Sequence, residues 1–142
     1  MEYTSEEKNW AMACHLTAFS SALIPFGNFI FPLIIWLSKK KESAFVDQHG
    51  RASLNFQISI FIYAMIVAIV AFFGGIGTIV ASAPWNWDRF DYHFSPANLL
   101  WLLPVAGAFI FLFFVYVILI IVASVRAADG KPYRYPLTIS FL

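Results

Sequence analysis

KKKESAFVDQHGRASLNFQ, residues Lys39 to Gln57, is the most polar stretch of a chain that is otherwise almost entirely apolar. Its position decides how the rest is read. Before it, Asn9 to Ser38 carries no Asp, Glu, Lys or Arg; after its last charge at Arg51, Ala52 to Trp87 carries none either. A third such window covers Tyr92 to Val125. Each exceeds the roughly 18 uncharged, apolar residues that mark a candidate membrane span.

Composition points the same way. Of 142 residues, 61% are hydrophobic and 12% charged, with a mean hydropathy of +0.74. A soluble domain carries about a quarter charged residues because its surface must face water, so lipid is expected to cover much of this one. A net charge of +1 excludes general electrostatic capture of nucleic acid. The single cysteine, Cys14, excludes an intrachain disulfide and a thiolate zinc site. The first residues carry Glu2, Glu6 and Glu7 where a secretory signal needs a basic region. The expected fold class is an all-α integral membrane protein, a single domain over residues 1–142, built as a small bundle of four transmembrane or partly re-entrant helices. The expected helical segments are about 10–24, 28–38, 47–82 and 99–125, with an external loop at 83–98 and a cytoplasmic tail at 126–142.

The second and third windows each hold a complete span. Leu54–Ser82 and Leu99–Val125 are each roughly 40 Å long as helix, more than the ~30 Å hydrocarbon core. Gly74, Gly75 and Gly77 mark a kink or fraying point in the earlier span, and Ala71 with Gly75 suits close helix packing. The first window is broken by Pro25-Phe26-Gly27-Asn28 and again by Pro32, because proline removes a donor and disfavours helix in the residue before it. One kinked span, a re-entrant hairpin and two short spans all fit. Lysine and arginine concentrate on cytoplasmic loops. Lys39, Lys40, Lys41 and Arg51 mark one basic region, and Arg126, Lys131 and Arg134 the other. These six outside Arg51 are expected at lipid headgroups. The outer loop, with Trp85, Trp87, Phe90, Tyr92 and Phe94, reads as aromatic residues at headgroup depth.

The polar residues of the opening stretch follow helical spacing. Asp47, Arg51, Asn55, Ser59 and Tyr63 recur every four residues on one slowly drifting stripe, with Asp47–Arg51 a favourable i,i+4 ion pair. His49, Ser53 and Gln57 form a second stripe. Such residues either sit wet in the headgroup region or contact protein at membrane depth. Asp47, His49, Arg51, Asn55, Gln57 and Asn28 are the expected helix–helix or partner contacts. His15, inside an apolar run, and His49 are the candidates for binding a haem, metal or other small ligand. Cys14 and His15 point about 100° apart on a helix, so they do not readily share one ion. No nucleophile elbow, phosphate loop or intramembrane carboxylate pair is present, so no catalytic residue, metal site or cofactor is expected.

The runs NWAMACHLTAF, PFGN, PLIIWLSKKKESAFVDQHGRASLNFQIS and GKPYRYPL resemble those of a widespread group of small bacterial membrane proteins of unknown function. That group is related to the Tic-twenty-like family, named for a subunit of the chloroplast inner-envelope protein translocon. The recurring positions of the resemblance fall on His15, Pro25, Asn28, Pro32, Trp36, Lys39, Asp47, His49, Gly50, Asn55, Phe56 and Gln57. The resemblance implies four membrane helices with both ends cytoplasmic, no enzyme activity and, by fold analogy alone, a link to protein translocation. The resulting expectation is a non-enzymatic accessory component of a complex in the bacterial inner membrane, in contact with lipid and with copies of itself or larger partners. The alternative is a conduit or small-ligand binder built on His15 and the broken first window. Replacing Asn55 and Gln57 with leucine is expected to weaken assembly on the first view.

Overall fold

A computed structural model describes residues 3–82 and 99–142; the expected external loop at 83–98 lies outside them. Four α-helices, α1 (Ser5–Leu16), α2 (Gly27–Lys39), α3 (Ala44–Ser82) and α4 (Leu102–Ala128), are joined by a 3₁₀ segment at Thr17–Ala22 and an extended tail after α4. No strand occurs among the described residues.

Local chemistry sets the helix ends. Thr4 and Glu7 form a reciprocal capping box, so α1 starts at Ser5 rather than at Trp10. It tightens into the 3₁₀ segment where Thr17, Ser20 and Ser21 turn their hydroxyls onto carbonyls three or four residues back, a bond that competes with the α-helical ladder. Pro25 then bars Ile24 from helix. Phe26 takes a left-handed conformation, φ 61°, and α2 begins at Gly27, where an added Cβ would lie 2.6 Å from Ser20 Oγ. The first window is therefore a hairpin, with α2 packed on α1 and the 3₁₀ segment. Its open end is closed by Ser43 Oγ donating to Glu7 Oε1 at 2.7 Å and by Lys39 Nζ, 5.4 Å above the Trp10 ring.

Two compact units follow, residues 1–61 with 114–142, and residues 62–113. In the first, small residues allow close approach: Ala11, Cys14 and Ala127 meet Phe45 and Val46, while Ala18 and Ala123 meet Phe56, Ile120 and Tyr135. The second holds the apolar remainder of α3 and the start of α4. There α3 runs unbroken through Gly74, Gly75 and Gly77, and Gly75 packs so closely on Trp101 that a Cβ would lie 2.8 Å from Cζ2. The α4 end is a left-handed cap: Gly130 has φ 72°, and Lys131 N donates back to Arg126 O at 2.9 Å.

Among the described residues, α3 and α4 are the two helices long and apolar enough to cross a membrane. Almost nothing of either apolar window is buried inside the chain, and Phe72, Phe73 and Phe111 are each about two-thirds exposed. A core helix of a soluble bundle would be covered instead.

Candidate functional site

Polar side chains of α1, α2, the first half of α3 and the tail meet inside the first unit. At the centre, three side chains from three elements form a chain of hydrogen bonds. Tyr135 Oη lies 2.9 Å from His15 Nδ1, and His15 Nε2 lies 2.8 Å from His49 Nδ1. Both histidines are fully buried and Tyr135 nearly so. The Tyr135 ring stacks on Phe56 at 4.0 Å, and Phe45 stands edge-on to His49 at 4.4 Å. Burial raises the Tyr135 phenol well above its ordinary pKa, so it keeps its proton and can donate to His15.

The order of the chain limits its chemistry. Tyr135 and His49 occupy opposite nitrogens of His15, so no single ion can be ligated by all three. If Tyr135 donates to His15, then His15 donates to His49, and His49 Nε2 carries the last proton; the reverse tautomer leaves Nε2 an acceptor. Either way that atom is buried, with the Lys131 backbone beside it. None of the bonded partners is a carboxylate. No group of three or more His, Cys, Asp or Glu among the described residues could hold a metal ion.

Around this centre the other expected contact residues find partners within the chain. Asn28 Nδ2 donates to Gln57 Oε1 at 3.1 Å, joining α2 to α3. Trp36 Nε1 donates to Asp47 Oδ1 at 2.8 Å, and Asp47 also pairs with Arg51 at 3.0 Å. Lys40 and Arg51 lie over the Trp36 ring, 4.4 and 5.7 Å from its centre. Ser53 Oγ donates to the Cys14 carbonyl at 2.7 Å. Asn55 binds the tail: its Oδ1 accepts from Phe141 N at 3.0 Å and Leu142 N at 3.1 Å. Ser59 Oγ accepts from Ile139 N at 2.9 Å. Of the expected headgroup cations, Lys39 pairs with Glu42 and Lys131 with Asp129, while Lys41, Arg126 and Arg134 are exposed.

Sequence reasoning missed Tyr135 as a site residue. Its partner lies 120 positions away, and no local pattern marks that pairing. The tail as a strap on Asn55 and Ser59 was missed for the same reason.

The sequence profile of the MamF/MmsF family, described as a magnetosome magnetite crystal formation protein family, matches residues 6–142. The chain belongs to the MamF/MmsF family. No curated protein and no solved structure matches it significantly. The family match overturns the Tic-twenty-like resemblance and, with it, the link to protein translocation. The physical reason lies in what the shared positions do. His15, Asn28, Trp36, Asp47, His49, Asn55 and Gln57 hold this MamF/MmsF chain's own elements together. A packing device can be common to proteins that share no activity.

Proposed function

We propose that this MamF/MmsF protein is a non-enzymatic membrane component that acts as an accessory in magnetite crystal formation. The observation that carries the reading is the family match over residues 6–142, joined to two long apolar helices whose faces are uncovered. The polar side chains that could have formed a reaction site are engaged with one another, which favours a scaffold over a catalyst.

The same contacts support a topology. α2 has 13 residues, roughly 20 Å, too short for the ~30 Å core. The Glu7–Ser43 bond places the two ends of the hairpin side by side, and Lys8 lies against Gly130 at the end of α4. The hairpin thus dips into the bilayer and returns, its tip formed by Leu23 and Phe26, 88% and 65% exposed. α3 and α4 cross fully. The N-terminal segment, the basic Lys39–Arg51 region and the tail lie together, and their lysines and arginines favour the cytoplasmic side. The uncovered faces of α3 and α4 are available to lipid, to further copies of the chain or to larger partners.

The test is removal of the chromosomal copy from a magnetite-forming bacterium, with re-expression of the full chain and measurement of crystals by electron microscopy. The expected result is a changed distribution of crystal size, shape or number that re-expression restores. Indistinguishable crystals would overturn the reading.

A further inference from the structure

We propose that the pocket between the start of α3 and the C-terminal strap binds a phosphate group, either of a lipid headgroup or of a free anion. The pocket has a volume of about 450 Å³, within the roughly 300–1,000 Å³ of small-ligand sites. It lies wholly inside the first unit. Its polar wall includes Arg51, Arg134, Gln48, Thr138 and Ser140.

Three observations point to an anion. The wall carries two guanidinium groups and no acidic side chain, the main-chain carboxylate of Leu142 being the one acidic group on a lining residue. The acid nearest in the network, Asp47, is already engaged by Arg51 and by Trp36. Arg134, by contrast, has no ion-pair partner among the described residues. The Thr138 hydroxyl is buried with no hydrogen-bond partner among the described residues, although a buried hydroxyl without one is costly. A rotation of the Thr138 side chain toward the pocket would let a phosphate oxygen satisfy it while accepting the forked donors of Arg134, the geometry in which guanidinium binds oxyanions best. The site is also held open: Asn55 and Ser59 tether the strap by its backbone amides at residues 139, 141 and 142, leaving the side chains of Thr138 and Ser140 to line the wall.

The test uses the full chain in mild detergent. Tryptophan fluorescence and native mass spectrometry follow titration with short-chain phosphatidylglycerol and, separately, with sodium phosphate. The expected result is saturable one-to-one binding. Arg134→Gln and Thr138→Val should each weaken it by about tenfold or more, the scale of a charge-assisted hydrogen bond or an unmet buried donor. Lys41→Gln, exposed and outside the pocket, should leave the affinity within about twofold, as screened surface charge does. Arg134 is exposed, so its variant should keep the wild-type circular dichroism. Lipid displaced by sodium phosphate supports the site with a free anion as ligand; lipid binding that phosphate leaves untouched supports it with a headgroup. Equal weakening by Lys41→Gln, wild-type affinity in the Arg134 variant, or no binding of either probe would overturn the proposal.

Discussion

Gly50→Ala should destabilise the first unit, although alanine is the better helix former. Gly50 lies within α3, and a Cβ built on it would sit 2.4 Å from Trp36 Cδ1 and 2.7 Å from Trp36 Cβ and Cγ. Ordinary carbon contacts are about 3.5–4.0 Å, so one of the two helices or the indole must move. The indole is poorly placed to do so: Asp47 holds its Nε1 at 2.8 Å, and Lys40 and Arg51 lie over its face. Replacing glycine inside a helix gains about 1 kcal/mol. Overpacking costs about 1–3 kcal/mol, and losing a hydrogen bond to a charged group about 1.5–3 kcal/mol. The net expectation is a loss of about 1.5–5 kcal/mol, or a fall in Tm on the order of 10 °C. Thermal unfolding in detergent, followed by circular dichroism, reads it. Gly77→Ala supplies the control, because nothing among the described residues lies within 4 Å of its added Cβ; its Tm should hold or rise. Trp36→Leu makes room, so the cost of Gly50→Ala in that background should shrink by at least about 1 kcal/mol. A Gly50→Ala protein as stable as wild type, or an unchanged cost in the Trp36→Leu background, would refute the reasoning.

Tyr135→Phe keeps the stack on Phe56 and leaves His15 Nδ1 without its partner; it should cost about 1–3 kcal/mol in the same assay, and wild-type stability would count against the buried chain. Asn55→Leu removes the acceptor for two tail amides, so limited proteolysis should cut the tail faster while α3 and α4 stay resistant; an unchanged cutting rate would deny the strap. Glu7 is held below its ordinary carboxyl pKa of 4.5, first by the Ser43 hydroxyl and then by Thr4. A depressed carboxyl pKa contributes stability that is present above the unfolded value and lost as pH falls through the folded one. Acidification from pH 6 towards 3 should therefore destabilise wild type more than Glu7→Gln, and parallel curves would contradict this.

The frame of the fold was legible because it rests on local signals. Charge-free windows located α3 and α4, and Pro25 to Asn28 located the break in the first window. Thr4 with Glu7 also signals a helix start, yet the charged residues beside them drew the expected boundary to Trp10. The i,i+4 spacing of Asp47 and Arg51 foretold their ion pair, since both lie on one helix. What stayed hidden was long-range. Asn55 and Gln57 were both read as reaching for other helices; Gln57 bonds to Asn28 on α2, whereas Asn55 holds a tail more than 80 residues away. His15 announced itself as a polar residue in an apolar run and was named together with His49, which it meets at 2.8 Å, but nothing near it pointed to Tyr135. The family was misread because the motif that prompted the resemblance encodes a way of closing the hairpin onto α3, and such a device does not report activity.

The arrangement of the membrane domain can be tested by thiol labelling from each side of sealed vesicles. Cys14 is fully buried, so single cysteines at Ser5, Lys41, Lys131 and Leu23 can be introduced without altering it. The account predicts that an impermeant maleimide labels the first three from the same side only, and leaves the apolar hairpin tip at Leu23 unlabelled from either. Labelling of Ser5 from the side opposite Lys41 would contradict it.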